Sequence, residues 1–370
     1  MKTRAAVVLE APGDYEVVTV DLDEPQAGEV LVRLVAAGLC HSDDHIATGD
    51  LPVATYPMCG GHEGAGVVEA VGPNAEGVKV GDHVVFSFLP VCGRCHWCAT
   101  GHQNLCDLGA HLLVGGRFDG SNTFRMSYEG RDVGQMSGTS TFSEYTTVDV
   151  RSVIVLDKDV PFEAACLVGC GVVTGWGAAV NSAETKPGDT VIVMGVGGIG
   201  IHAVQGAAQA GAGDVIAVDP VPFKRDMALK LGATEAFATM EEATDFARSR
   251  TNGQGAHAAI VTVGVTTGEH VASAFASICK TGIVVVTGIG PMNIGIPIVP
   301  AELTLYQKRI QGSLFGAANP TADIPRVIRM YQEGALKLDE LVTTRYSLDQ
   351  IAQGYRDMHA GKNMRGVIVF

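Results

Sequence analysis

Four cysteines stand close together at Cys92, Cys95, Cys98 and Cys106, within VCGRCHWCATGHQNLC. The spacing is C-x2-C-x2-C-x7-C. Zinc prefers soft thiolate ligands in a tetrahedron, and four cysteines close its shell with no position left for a substrate. The loop has little apolar content of its own, so a metal here would act as a structural staple. An iron–sulfur cluster fits less well, because the bacterial run ends in x3 before a Cys-Pro. Here the last gap is x7 and no proline follows. Reduced thiols without a metal are the plain alternative, and the regular spacing argues against them.

A second group offers different chemistry. Gly195, Gly197, Gly198 and Gly200 lie in VIVMGVGGIGIH, with Ile199 inside the turn. An apolar strand-like run precedes them and a helical stretch follows. The pattern G-x-G-x-x-G lets the backbone turn tightly and approach a pyrophosphate. The helix N-terminus behind it attracts phosphate. Asp219 ends the next apolar run, nineteen residues beyond Gly200. Its carboxylate suits the adenosine ribose hydroxyls and repels a 2′-phosphate, which favours NAD over NADP. Lys224 and Arg225 follow closely and leave room for some tolerance of NADP.

The third group is scattered. Cys40 lies in GLCHSDDH, His62 and Glu63 in GGHEGAG, and Cys170 in LVGCGVVTG. A single cysteine is usually a small buried hydrophobe. Two cysteines and a histidine together form a set that leaves the fourth zinc position open to water or substrate. Such a metal polarises a bound oxygen.

With these motifs assembled, the chain resembles the zinc-containing medium-chain alcohol dehydrogenases from end to end. GHEGAGVVEAVG, the four-cysteine loop, the GCG turn and the ending GKNMRGVIVF carry the resemblance. It implies a GroES-like β-rich catalytic domain plus a doubly wound Rossmann domain with a parallel sheet. Cys40, His62 and Cys170 become ligands of a catalytic zinc, and the cysteine cluster holds a structural one. Asp43 would orient His62, as carboxylates behind metal-bound histidines do. Glu63 would lie behind the metal. Ser42 and His45 would relay the alcohol proton through the cofactor ribose to solvent, a step suited to a group titrating near neutrality. A solvated polar loop is the alternative for Asp43, Asp44 and His45.

The resemblance also brings Lys224 to the ribose, His41 and Arg365 to the pyrophosphate, and Thr174 and Ile199 to the nicotinamide. Surface charge is the alternative for Lys224 and Arg365. Phe88, Met136 and Ile289, with Ser42, would line the substrate pocket, although Phe88 suits a core equally well. The long segment Leu108 to Thr141 resembles the dimeric branches of the family, including the class III enzymes that act on hydroxymethylglutathione. Ala110 stands where an arginine would favour that adduct, while Arg117 and Arg125 keep the option open. The texture also resembles actinobacterial members that hold NAD tightly and re-oxidise it with an external acceptor.

These groups need a frame. Up to about residue 170 the chain reads as all-β with glycine-rich turns, including strands at Glu29 to Ala37, Gly66 to Val71 and His83 to Phe88. From about residue 188, short apolar strands alternate with helices, which implies a parallel doubly wound sheet. Helical stretches near Asp323 to Gln332 and Leu348 to His359 precede a closing strand, Gly366 to Phe370. The expected domains are residues 1–172 (catalytic, with both zinc sites), 173–314 (NAD-binding) and 315–370 (return to the catalytic domain).

The 370 residues are 46% hydrophobic and 18% charged, an ordinary globular composition. A formal charge of −14 and the absence of a basic run argue against nucleic-acid binding. Ala164 to Asn181 and Thr190 to Gly213 lack charge, yet both are glycine-rich and are read as buried strand–turn–helix, not membrane spans. The start resembles no signal peptide, and a cytoplasmic location is expected. Nine cysteines then point to metal or catalysis before disulfides. Cys59, Cys166 and Cys279 remain as expected buried packing residues.

The expected function is hydride transfer between a primary or secondary alcohol, or its aldehyde or ketone, and NAD, by a homodimer or higher homo-oligomer. A polyol dehydrogenase, an S-(hydroxymethyl)thiol dehydrogenase and a non-catalytic NAD- and zinc-binding scaffold are the other readings. Retention of Cys40, His62 and Cys170 with Glu63 and Ser42 argues against the scaffold.

Overall fold

The computed structural model describes every residue except Asn122 and Met292. Contacts divide the chain into two compact units, Met1–Cys170 with Asn319–Phe370, and Gly171–Ala318. The C-terminal tail therefore packs with the first unit.

In the first unit, among the described residues, five short strands close a small barrel: Lys2–Val8, Tyr15–Leu22, Met126–Tyr128, Arg131–Gln135 and Met58–Cys59. Beside it lies a seven-stranded sheet whose spine is Glu29–Gly38. That strand is an almost unbroken apolar run because neighbours bury both of its faces. It pairs antiparallel with Glu63–Val71, with Tyr145–Asp149 and with the closing strand Arg365–Val369. The register sets Gly38 opposite Glu63 on one side and Val367 on the other. Side chains alternate along a strand, so Arg365 shares a face with Val367. The end of the spine thus brings together the segments that carry Glu63 and Arg365.

The chain leaves the spine through Leu39 and Cys40 and enters a helix, His41–Thr48, closed by Gly49 at φ 84°. A left-handed residue there suits glycine. This helix departs from the all-β expectation. Its sequence, HSDDHIAT, shows no apolar stripe, because it buries Asp43 and His45 beside Ile46 and Ala47.

Ala164 to Asn181 also differs from the expected strand–turn–helix. It is helical throughout, within a run from Phe162 to Ser182 that includes wide turns at Val168–Val172 and Ala178–Ser182. Length and composition alone would let this run cross a membrane, but 89% of its apolar window is buried inside the protein. The glycines that suggested a turn serve close packing instead. A Cβ on Gly175 would strike the Ile199 carbonyl, and one on Gly177 the Gly316 carbonyl.

The second unit holds a six-stranded parallel sheet. Its spatial order is Glu235–Phe237, Asp214–Val218, Thr190–Met194, Ala256–Val261, Ile278–Val286 and Arg309–Gly312. The first strand in sequence is therefore central, and the order reverses beside it. Ligands of such sheets bind at the carboxyl ends of the strands at this reversal. Thr190 to Gly213 is strand, turn and helix as expected.

Of the leftover cysteines, Cys59 and Cys166 are fully buried, whereas Cys279 is only half-buried. Cys279 is the second residue of the Ile278–Val286 strand, beside a register shift between the Ala256–Ile278 and Ala258–Ile283 pairs, and Lys280 and Thr281 after it are exposed.

Candidate active site and metal centres

In the cysteine loop the four sulfurs lie within 4.8 Å of one another. Cys92 and Cys98 are 4.0 Å apart, as are Cys95 and Cys106. A zinc tetrahedron with ligands at about 2.3 Å has edges of roughly 3.8 Å. Backbone N–H groups of Cys92, Cys95 and Cys98 donate to the sulfurs of Cys106, Cys92 and Cys95 at 3.4, 3.4 and 3.5 Å. Such donors favour the thiolate. Burial opposes ionisation of Cys92, yet the amides of Arg94 and Cys95 bring it down to about 6. Burial and the neighbouring sulfurs push Cys98 up to about 12. Four thiolates at these distances repel one another until a cation sits among them. All nine cysteines are free of disulfides.

The second centre gathers residues far apart in sequence. Ligand atoms of Cys40, His62, Glu63 and Cys170 lie within 4.8 Å of one another, and the last three residues are buried. His62 Nδ1 faces Asp43 Oδ2 at 2.9 Å. This contact turns the other ring nitrogen toward the sulfurs, as a metal-binding imidazole requires. Asp43 is itself fixed. Its Oδ1 accepts from Gly61 N at 2.8 Å, and its carbonyl accepts from the Tyr15 hydroxyl at 2.8 Å. Burial raises the Asp43 carboxyl above its usual range. Burial works against a charged imidazole at His62, but Asp43 and Cys40 outweigh it and hold His62 well above the usual histidine value. The Cys170 thiol, donating to Cys40, holds Cys40 well below the ordinary thiol range. That same contact, with burial, pushes Cys170 well above it. Two sulfurs and a pre-oriented imidazole converging in a buried place fit a zinc ion with an open coordination position.

Behind the ligands, Glu63 Oε2 is paired with the Arg365 guanidinium, which also lies 3.5 Å from the Leu39 carbonyl. Arg365 is 3% exposed, so it is not a surface charge. Lys224, the other candidate for one, is half-buried. A Cβ on Gly38 would fall on Glu63 Oε2 and come within 3.2 Å of the guanidinium. The pair needs glycine at that position.

Ser42 is half-buried, with Oγ 3.8 Å from Cys40 Sγ. His45 is buried and its Nδ1 lies 3.5 Å from Oδ2 of the exposed Asp50. Asp43 and His45 are therefore not members of a solvated loop. His41 is exposed at the start of its helix. The Phe88 ring meets His62 edge-on at 5.4 Å. Met136 is buried in a small cluster with Ile46 and Met58. Arg117 and Arg125 do not present themselves to a charged substrate. They are 4% and 1% exposed, and both bind Glu29.

The second unit carries the dinucleotide turn. Gly195 adopts φ 85°, and a Cβ there would press on Val263 at 3.0 Å. A Cβ on Gly200 would strike the Gly195 carbonyl. The helix Gly200–Gln209 has Ile199 at its N-cap, with Gly197 and Gly198 in the turn before it. Asp219 is buried, with Oδ2 accepting from Val196 N at 3.0 Å and Oδ1 from Val221 N at 2.9 Å. Arg225 donates to the Asp219 carbonyl at 2.6 Å. A Cβ on Gly197 would lie 3.9 Å from Lys224 Nζ. Thr174 is buried, and Ile289 is 47% exposed.

Residues 26–158 match the alcohol dehydrogenase GroES-like domain family, and residues 198–333 match the zinc-binding dehydrogenase family. The NDMA-dependent alcohol dehydrogenase of Amycolatopsis methanolica is 52% identical over 370 residues, covering 100% of this chain and 99% of that protein. The chain is a zinc-binding alcohol dehydrogenase family member. Alcohol dehydrogenase B of Mycobacterium tuberculosis is 47% identical, covering 100% of this chain and 98% of that protein. The crystal structure of benzyl alcohol dehydrogenase from Acinetobacter calcoaceticus superimposes with a TM-score of 0.92 at 30% identity, covering 100% of this chain and 99% of that one.

Within this dehydrogenase, sequence reasoning missed Gly38, Tyr15 and Glu29. Gly38 sits in an unremarkable strand, and only strand register reveals its neighbours. Tyr15 reaches Asp43 from another strand, with no local signal. Glu29 gives no sign in sequence that it holds two arginines nearly a hundred residues away.

Proposed function

We propose that the protein oxidises uncharged aliphatic or aromatic alcohols, or reduces the matching carbonyls, with NAD as hydride carrier and two zinc ions per chain. The observation that carries this reading is the convergence of Cys40, His62 and Cys170, with Asp43 behind His62. These residues would hold the catalytic zinc, and Cys92, Cys95, Cys98 and Cys106 the structural one. When bound, the catalytic zinc supplies the Lewis acidity that makes an alcohol easier to deprotonate. Ser42, with Oγ 3.8 Å from Cys40 Sγ, would take that proton, and His45, with Nδ1 3.5 Å from Asp50 Oδ2, would pass it toward solvent. NAD, when bound, would supply the hydride acceptor, so that one proton and one hydride would leave the alcohol for each carbonyl formed. Asp219 holds the adenosine ribose with Lys224. His41 and Arg365 serve the pyrophosphate, and Thr174 and Ile199 the nicotinamide. Phe88, Met136 and Ile289 are the proposed substrate-facing residues, of which Phe88 has direct support from its contact with the His62 ring.

The burial of Arg117 and Arg125 on Glu29 weakens the case for a glutathione adduct. The likeness to a relative named as NDMA-dependent supports use of an external acceptor, and NAD held tightly and re-oxidised in place is proposed with it. Exposed apolar side chains at Ile294, Ile296, Val299 and Leu305, in the stretch of chain that precedes the edge strand Arg309–Gly312, support a homo-oligomer. The free cysteines suit the reducing cytoplasm.

A panel of ethanol, benzyl alcohol and octanol, run with free NAD and with NDMA, tests the reading. Chelator-sensitive turnover with at least one acceptor is expected. No turnover with any alcohol by zinc-loaded protein would refute it.

A further inference from the structure

The carbonyls of Cys59, Gly60, Gly61 and Glu63, on either side of His62, accept hydrogen bonds from one segment of chain, Thr139–Phe142. Ser140 Oγ donates to the Cys59 carbonyl at 2.8 Å, and Phe142 N to the Gly60 carbonyl at 3.1 Å. The Gly61 carbonyl accepts from Thr141 N at 2.9 Å, and the Thr139 hydroxyl, 3.0 Å from the Met136 carbonyl, shares its proton with the Gly61 carbonyl at 3.3 Å. Thr141 Oγ1 donates to the Glu63 carbonyl at 2.9 Å. Residues 139 to 143 are wholly buried. Ser137 and Ser140 hold left-handed backbones, at φ 51° and 46°. Non-glycine residues adopt that conformation only where surroundings impose it, and such strain gathers at functional sites.

The glycines flanking His62 and Glu63 make room for Thr141. A Cβ on Gly61 would lie 2.5 Å from Thr141 Oγ1, and one on Gly64 would lie 2.5 Å from Thr141 Cγ2. The segment is braced from behind. Arg125 donates to Gln135 at 3.1 Å, Gln135 to Thr146 Oγ1 at 3.0 Å, and Thr146 Oγ1 to the Thr139 carbonyl at 2.7 Å.

We propose that Thr141, supported by Thr139 and Ser140, is a positioning residue of the Cys40–His62–Cys170 metal site: its hydroxyl and methyl lock the His62–Glu63 backbone so that the imidazole meets the metal without reorganisation. The inference rests on the metal-binding reading above. Its mechanism is geometric. His62 is tied to Asp43 through its ring, and the backbone on either side of it is tied to Thr141, whose N–H bonds the Gly61 carbonyl and whose hydroxyl bonds the Glu63 carbonyl, so loosening either tie lets the ring drift. Groups behind a ligand typically change metal affinity by about 10–100-fold.

The test uses full-length apo-protein titrated with cobalt(II) against a competing chelator, with the cobalt–thiolate absorption read at both centres. The four-cysteine loop is the internal control. Thr141→Val keeps the volume and removes the hydroxyl. It is expected to weaken the Cys40–His62–Cys170 centre about tenfold and alter its absorption band, with the cysteine loop unchanged. Thr141→Ser is expected to restore most of the affinity. Wild-type affinity and band in Thr141→Val, even with a lower Tm, would show a merely structural role and overturn the proposal. Should Thr141→Val fail to fold, Thr139→Val and Ser140→Ala are read by the same criteria. A wild-type chain that takes cobalt only at the cysteine loop would overturn the catalytic-metal reading as well, which separates the two failures.

Discussion

Glu29→Gln is expected to destabilise the protein by about 3 kcal/mol, because breaking a buried ion pair on one side strands a charge. Glu29 Oε1 accepts from Arg125 Nε at 2.8 Å, while Oε2 accepts from Arg117 and from Gln26 N at 2.9 Å. The side chains of Glu29, Arg117 and Arg125 are 6%, 2% and 1% exposed. Glutamine keeps the shape and one acceptor oxygen but removes the charge. Arg117 would retain Asp23 at 2.9 Å. Arg125 would keep the neutral Gln135 at 3.1 Å, and its full charge would stand in a buried place. At roughly 2–4 °C per kcal/mol for a unit of this size, Tm should fall by about 6–12 °C. The assay is thermal unfolding at fixed zinc and NAD, since ligand binding alone shifts Tm. A fall below about 2 °C would refute the claim that Glu29 neutralises the two arginines.

The same pair predicts an acid limb. Burial alone would raise the Glu29 carboxyl, but Arg125 and Arg117 outweigh it and hold it below its usual value. A depressed acid stabilises the fold above its unfolded pKa of roughly 4.3, and that contribution is lost as pH falls through the folded value. Wild-type Tm should therefore fall below about pH 4 more steeply than that of Glu29→Gln.

Three further outcomes follow from the site. Asp43→Asn should lower zinc retention at the His62 centre by about 10–100-fold, measured by metal content after dialysis against chelator, and wild-type retention would contradict its orienting role. Asp219→Gly should raise KM for NAD and shift the NAD:NADP preference toward NADP, and an unchanged ratio of kcat/KM values would remove Asp219 from cofactor selection. Gly38→Ala should cost about 1–3 kcal/mol by crowding the Glu63–Arg365 pair, with Tm and kcat both lowered, and a wild-type Tm would mean the pair shifts freely.

The sequence was most legible where chemistry lies within one short stretch. The strand–turn–helix at Thr190 to Gly213 and the cysteine loop both followed from spacing. The polar helix His41–Thr48 was missed because buried polar residues erase the apolar stripe that announces a helix. Ala164 to Asn181 was misread for the opposite reason: a segment buried on all sides has no periodicity, and its glycines resemble turn signals. Arg117 and Arg125 looked available to a substrate because sequence does not show that Glu29 folds against both.

Local spacing decided the four-cysteine centre and the glycine turn, since a few covalent steps confine those groups whatever the rest of the chain does. Tertiary structure decided the other centre. Cys40 and Cys170 are 130 residues apart, and no local rule joins them to His62. They meet because the spine strand places Gly38 against Glu63, Asp43 on the next helix captures His62, and the Phe162–Leu167 helix leads the chain to Cys170. Strand register and burial bring such groups within ångströms of one another, and neither is written in the spacing of the residues themselves.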